Sequence, residues 1–143
     1  DNTTRQPEEI DRIIDHHLSL SSPGFSSNLS VIDNSGYPDG IGAEIFDFSL
    51  LSYVNNTVSD PFKREHVHLN FYNYETGKAV DAKWCPISTV QCPREFRRPD
   101  LILDVNTKEQ YDFMVKLYDA LYSKNPNFDI TDIISWYDHE YQK

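Results

Sequence analysis

Residues 101–122, LILDVNTKEQYDFMVKLYDALY, contain the change of period that decides the fold. Positions 101–105 form a short apolar run of strand type. From about Thr107, large side chains recur at Tyr111, Met114, Val115, Tyr118, Leu121 and Tyr122, the spacing of a helix with one buried stripe. A strand running straight into a helix is a building unit of α/β layers. Asp104 and Asn106 stand two apart at the end of this strand and so project to one face. Ligands bind at that end of open α/β sheets, and oxygen ligands there suit Mg2+. A second reading makes Asn106 and Thr107 the N-cap of the helix.

The same alternation extends in both directions. Asn125-Pro126-Asn127 breaks the helix, and Asp129 then caps another that carries Ile130, Ile133, Ile134, Tyr137 and Tyr141. At the other end, Pro7 with Glu8 and Glu9 opens a helix. Its stripe is Ile10, Ile13, Ile14, His17 and Leu18, and Ser21-Ser22-Pro23-Gly24 ends it. Between the two ends, strands are expected over 25–32, 41–46, 87–92 and 101–105. Helices are expected over 48–54 and, from the cap Asp60-Pro61, through 72. Glu75-Thr76-Gly77-Lys78 reads as a turn. The fold class implied is α/β, in a single domain of 143 residues.

Composition narrows the function. With 13 Lys and Arg against 23 Asp and Glu, the formal charge is -10. That balance argues against a nucleic-acid partner and against anionic membranes. An acidic protein that handles phosphates needs a metal ion or a local basic cluster, and the one cluster is Arg94, Arg97 and Arg98. No apolar run nears the roughly 20 residues that span a bilayer, and no signal peptide is visible. The expected place is therefore the cytoplasm, with Cys85 and Cys92 as free thiols and a bridge between them as the minor reading. The N-x-S/T triplets at Asn2, Asn28 and Asn55 are then read as chance.

Two further segments concentrate chemistry. Tyr37-Pro38-Asp39-Gly40 is a tight loop feeding a strand on which Gly42 and Glu44 share one face. Such a loop exposes backbone amides to a ligand; an edge strand with one wet face fits equally well. Arg64-Glu65-His66-Val67-His68 falls on the expected 61–72 helix, where His66 and His68 would point about 200° apart and not share a metal. Its plain reading is a solvated helix with His66 half-buried. No Gly-rich phosphate loop and no Ser-His-Asp series is visible.

The order of these pieces carries a resemblance. DNTTRQPEEID (1–11) resembles a family segment of the form G-D-C-P-L-I-D-P-E-x-I-D, and FSSN (25–28) resembles a D/Y-x-S-N strand end. YPDGIGAEIF (37–46) is close to F/Y-P-D-G-L-D-V-E-V-F. DPFKREHV (60–67) resembles D-x-x-x-R-E-H-V, and LDVNTKEQ (103–110) resembles W-T-V-D-T-P-E-D. Together they are similar to bacterial sugar cytidylyltransferases of the spore coat polysaccharide biosynthesis protein F-like and acylneuraminate cytidylyltransferase family. The YPDG…E and REHV segments are the specific ones.

The resemblance implies a nucleotide-diphospho-sugar transferase fold, GT-A-like and Rossmann-like, built as a three-layer sandwich. It implies transfer of CMP from CTP to a sugar, commonly an acidic one, with Mg2+ offsetting phosphate charge. Asp1, Asp104 and Asn106 would hold the metal. Asn28, Asp39, Gly40, Glu44, Arg64, Glu65 and His66 would line the sugar side, with Arg64 placed to hold a carboxylate or phosphate. The family's N-terminal motif A-R-x-x-S-x-R-L-P-x-K is absent. The chain is therefore expected to be the sugar-binding C-terminal half, inactive alone, and to form a homodimer or associate through unpaired sheet edges. Asn106 stands where the family carries Asp, and Gly42 where many members do. A non-catalytic binding or assembly module on the same fold is the alternative.

Overall fold

A computed structural model describes residues 3–4, 6–22 and 24–142. The architecture is mixed α/β, with helices predominating over short strands. Helix α1 (Pro7–Leu18) starts on Pro7. Strands β1 (Phe25–Ser27) and β2 (Glu44–Phe46) pair antiparallel. Helix α2 (Phe48–Thr57) follows, then a short α3 (Pro61–Glu65) capped by the Asp60 carboxylate on the Phe62 N–H. A 3-10 turn (Val67–Asn70) leads to the hairpin of β3 (Tyr72–Asn73) and β4 (Lys78–Ala79). Strand β5 (Ile87–Ser88) joins β1 in parallel, giving a three-stranded mixed sheet of order β2-β1-β5. Helices α4 (Lys108–Leu121) and α5 (Ile130–Trp136) close the chain, each behind a reciprocal capping box: Thr107 with Gln110, and Asp129 with Asp132.

Two apolar clusters form the core. One packs α4 and α5 against Tyr37, Ile41, Leu101 and Leu103. The other packs α2 against Phe25, Ile32, Phe71 and Tyr72. Cys92 belongs to the first and Cys85 to the second, and both are free and buried. Burial pushes the Cys85 thiol up to about 11 and the Cys92 thiol up to about 12, so neither is a ready nucleophile.

Several expectations are corrected. The strand over 25–32 stops at Ser27, because the chain turns at 29–32 with the Ile32 N–H donating to the Leu29 carbonyl. The strand over 41–46 begins only at Glu44, since the Ala43 N–H is taken by the Asn28 side chain rather than by a ladder partner. Residues 87–92 hold a two-residue strand. Residues 101–105 make an isolated parallel bridge, Asp39 to Ile102. The expected 61–72 helix breaks at His66, whose φ of -103° and ψ of 72° are not helical. The α4 stripe is also shifted: Met114, Leu117 and Leu121 are buried, whereas Tyr111, Val115 and Tyr122 are exposed. Among the described residues, no helix is long and apolar enough to cross a membrane.

Candidate functional site

The loop at 37–40 is anchored from below. Tyr37 is fully buried, and its hydroxyl donates to Glu9 Oε2 at 2.5 Å while accepting from Arg12 at 3.2 Å. Burial, reinforced by the Glu9 carboxylate, pushes the Tyr37 phenol far up, so it remains a donor. From that anchor, Asp39 bridges to the 101–103 segment: its N–H donates to the Leu101 carbonyl, and its carbonyl accepts from Leu103 N–H. Gly40 has φ +94°, and its Cα lies close to the Leu103–Asp104 peptide. Asp39 and Asp104 are thereby brought to one wall.

A second wall comes from Glu44 at the start of β2, from His68 in the 3-10 turn and from the β3 hairpin. The Tyr72 hydroxyl donates to Glu44 Oε1 at 3.0 Å, and His68 Nδ1 lies 3.8 Å from Glu44 Oε2. The His68 and Tyr72 rings stack, with centroids 5.5 Å apart. Between the walls lies an open cleft of about 360 Å3, lined by Leu29, Asp39, Gly40, Gly42, Ala43, Glu44, His68, Tyr72, Tyr74 and Asp104. Its volume is in the range of small-molecule sites, about 300–1,000 Å3.

The residues expected at the site divide. Asp39, Gly40, Glu44 and Asp104 converge on the cleft. Asn28 is fully buried behind it. Its Oδ1 accepts from Ala43 N–H at 2.7 Å, and its Nδ2 donates to the Glu9 carbonyl at 3.4 Å. A Cβ at Gly42 would sit 2.7 Å from Asn28 Oδ1. Arg64 does not reach the cleft. Its guanidinium donates to the Asn55 and Val58 carbonyls and to Asn55 Oδ1, which satisfies the end of α2. Glu65 is exposed at the end of α3. His66 packs its ring edge on Phe62, 4.7 Å between centroids. Asp1 lies outside the described residues. Asn106 Nδ2 faces Asp104 Oδ2 at 3.5 Å, and Asn106 N–H donates to Gln110 Oε1. Thr107 is the α4 cap, so the capping reading of that segment holds for Thr107. Tyr72 and Tyr74 escaped sequence reasoning, and His68, expected on a helix and set apart from His66, instead faces Glu44.

A Ser-His-Asp line also exists where the sequence shows no such series. His17 Nε2 lies 3.4 Å from Asp47 Oδ2, and its Nδ1 is 2.9 Å from Ser26 Oγ. Ser26 Oγ is 3.0 Å from Ser88 Oγ, which in turn meets His16 Nε2 at 3.0 Å. Ser26 is fully buried, so its hydroxyl is out of reach of a substrate. The line clasps α1 to β1 and β5, and is not a nucleophilic site.

Burial first, then the nearby Asp104 carboxylate, holds the Asp39 carboxyl above its ordinary value of 3.8. Folding therefore disfavours its charged form relative to the unfolded chain. The corresponding stability is full below the unfolded value and is lost as pH rises through the folded one. Asp39→Asn, which keeps the shape without the charge, is expected to be more stable than the wild type at neutral pH. The gain should shrink toward zero below about pH 4. Urea unfolding across pH tests this; an Asn variant less stable than wild type at pH 7 contradicts it.

No family model, curated protein or solved structure matches the chain.

Proposed function

We propose that the chain is the sugar-binding portion of a sugar nucleotidyltransferase on a nucleotide-diphospho-sugar transferase fold, serving surface polysaccharide biosynthesis. The observation that carries this reading is the convergence of Asp39, Gly40, Glu44 and Asp104 on one cleft. These residues come from two of the ordered family-like segments, which lie more than fifty positions apart. Asp39 and Glu44 would accept hydrogen bonds from sugar hydroxyls, and the His68 and Tyr74 rings would wall the sugar. In the reaction, a sugar hydroxyl attacks the α-phosphorus of CTP, the α–β anhydride bond breaks, and pyrophosphate leaves with the electron pair.

The donor set fits Mg2+ in part. Asp104 supplies carboxylate oxygens, and Asn106, exposed and able to turn, supplies an amide oxygen once its nitrogen rotates away. When bound, the ion offsets charge on the phosphates. The outer strands β2 and β5, each paired on one side within the sheet, are where a second copy would associate.

Joined to a segment bearing the A-R-x-x-S-x-R-L-P-x-K motif, the chain is expected to release pyrophosphate from CTP with Mg2+ and a sugar. Silence across a panel of nucleotides and sugars counts against the reading. The present orientation of Asn106, with its nitrogen toward Asp104, favours a second reading: a non-catalytic binding or assembly module. Metal-dependent CTP binding by calorimetry separates the two.

A further inference from the structure

The cleft has a charge that bears on which sugar it takes. Three carboxylates line it, from Asp39, Glu44 and Asp104. Among the described residues, no Lys or Arg does. Arg64, the cation expected on the sugar side, is held by three hydrogen bonds at the end of α2. His68 faces Glu44, so even when protonated it answers a carboxylate already present.

The chain as a whole carries a formal charge of -10, which adds to the local field. A carboxylate ligand entering this cleft would meet like charge on both walls. An ammonium would meet Asp39 on one side and Glu44 on the other, with charge-assisted hydrogen bonds available to each. Tyr74, exposed at the cleft, also suits this, since a cation near a tyrosine face is attracted by the ring.

Resting on the reading of this cleft as the sugar site, we infer that its substrate is an amino sugar with a free ammonium, not a sugar acid. The ammonium sits between the Asp39 and Glu44 carboxylates, and the ring lies against the exposed Tyr74. Selection works by charge: N-acylation of the amine removes the favourable term, and a carboxylate reverses it.

The test titrates the 143-residue chain, amide-labelled, with D-glucosamine, N-acetyl-D-glucosamine, D-glucuronate and ethanolamine at a pH where the amines are protonated. The amide signals of Gly40, Gly42 and Ala43 report binding. Glucosamine is expected to bind roughly ten-fold more tightly than the acylated sugar or glucuronate. Glu44→Gln and Asp39→Asn, made singly and checked for a folded spectrum, should each bring glucosamine toward the neutral sugar. Glu44→Gln retains an oxygen for the Tyr72 hydroxyl, which limits structural side effects. Glucuronate binding as well as or better than glucosamine overturns the inference and leaves the sugar cleft standing. Ethanolamine matching glucosamine overturns it too, because the cleft is then a simple amine site. If no sugar binds at all, the inference and the sugar-site reading both fall.

Discussion

Gly40→Ala is expected to lower the unfolding free energy by about 2–4 kcal/mol, and to disturb the cleft in doing so. Two costs combine. At φ +94° an L-residue with a Cβ is strained, by about 1–2 kcal/mol for Ala. The added carbon would also sit 2.7 Å from the Leu103 carbonyl carbon and 2.9 Å from the Asp104 nitrogen. Both are backbone atoms of the segment that Asp39 bridges, so no rotamer change relieves the contact. The 37–40 loop must lift away from 101–104, and Asp39 and Asp104 then separate. Gly40→Asn separates the two costs. Asn tolerates positive φ better than Ala, yet it brings the same Cβ. An Asn variant as unstable as the Ala variant assigns the loss to the close approach; a much milder one assigns it to φ. Urea unfolding measures both. An Ala variant within about 0.5 kcal/mol of wild type would show that the loop is not held as described.

The helices were legible because their signals are local. Pro7, Asp60-Pro61, Thr107 and Asp129 each mark a start, and the structure uses all of them. Strand lengths were not legible, because what ended them is distant. The Ala43 N–H is satisfied by Asn28, fifteen positions away, and nothing in 41–46 announces that. The α4 stripe misled because Tyr111 and Tyr122 are large yet exposed, while Leu117 alone fills the inner face between Met114 and Leu121. Amphipathic tyrosines blur an apolar count in this way. Half of the cleft was readable as loop ends carrying oxygen atoms: Asp39, Gly40, Glu44 and Asp104. The other half was hidden by the expected 61–72 helix. Its break at His66 turns His68 and Tyr72 toward Glu44, and the hairpin then brings in Tyr74. Arg64 illustrates the opposite failure. A motif suggested a ligand-binding cation, but two nearby carbonyls left open at the end of α2 captured it.

Asn28→Ala is expected to cost about 2–4 kcal/mol, a loss large enough to loosen the cleft wall at 42–44. Asn28 is fully buried, and its amide oxygen is the partner of the Ala43 N–H at 2.7 Å. Removing it strands that N–H beneath the cleft, at about 1–3 kcal/mol, and leaves a small void. The Glu9 carbonyl also loses the longer 3.4 Å contact from Nδ2. Asn28→Asp offers the sharper experiment, because a protonated carboxyl copies the amide in shape, with one donor and one acceptor. Burial raises the carboxyl's folded pKa above its unfolded value of about 3.9. The Asp variant should therefore be near wild-type stability below about pH 4, and should lose stability as pH rises through the folded pKa. A void or a general loss of packing would give no such slope. Equal deficits for Asn28→Asp at pH 3 and pH 7, each measured against wild type at the same pH, would show that Asn28 does not hold the Ala43 amide. The wall of the cleft would then need another support.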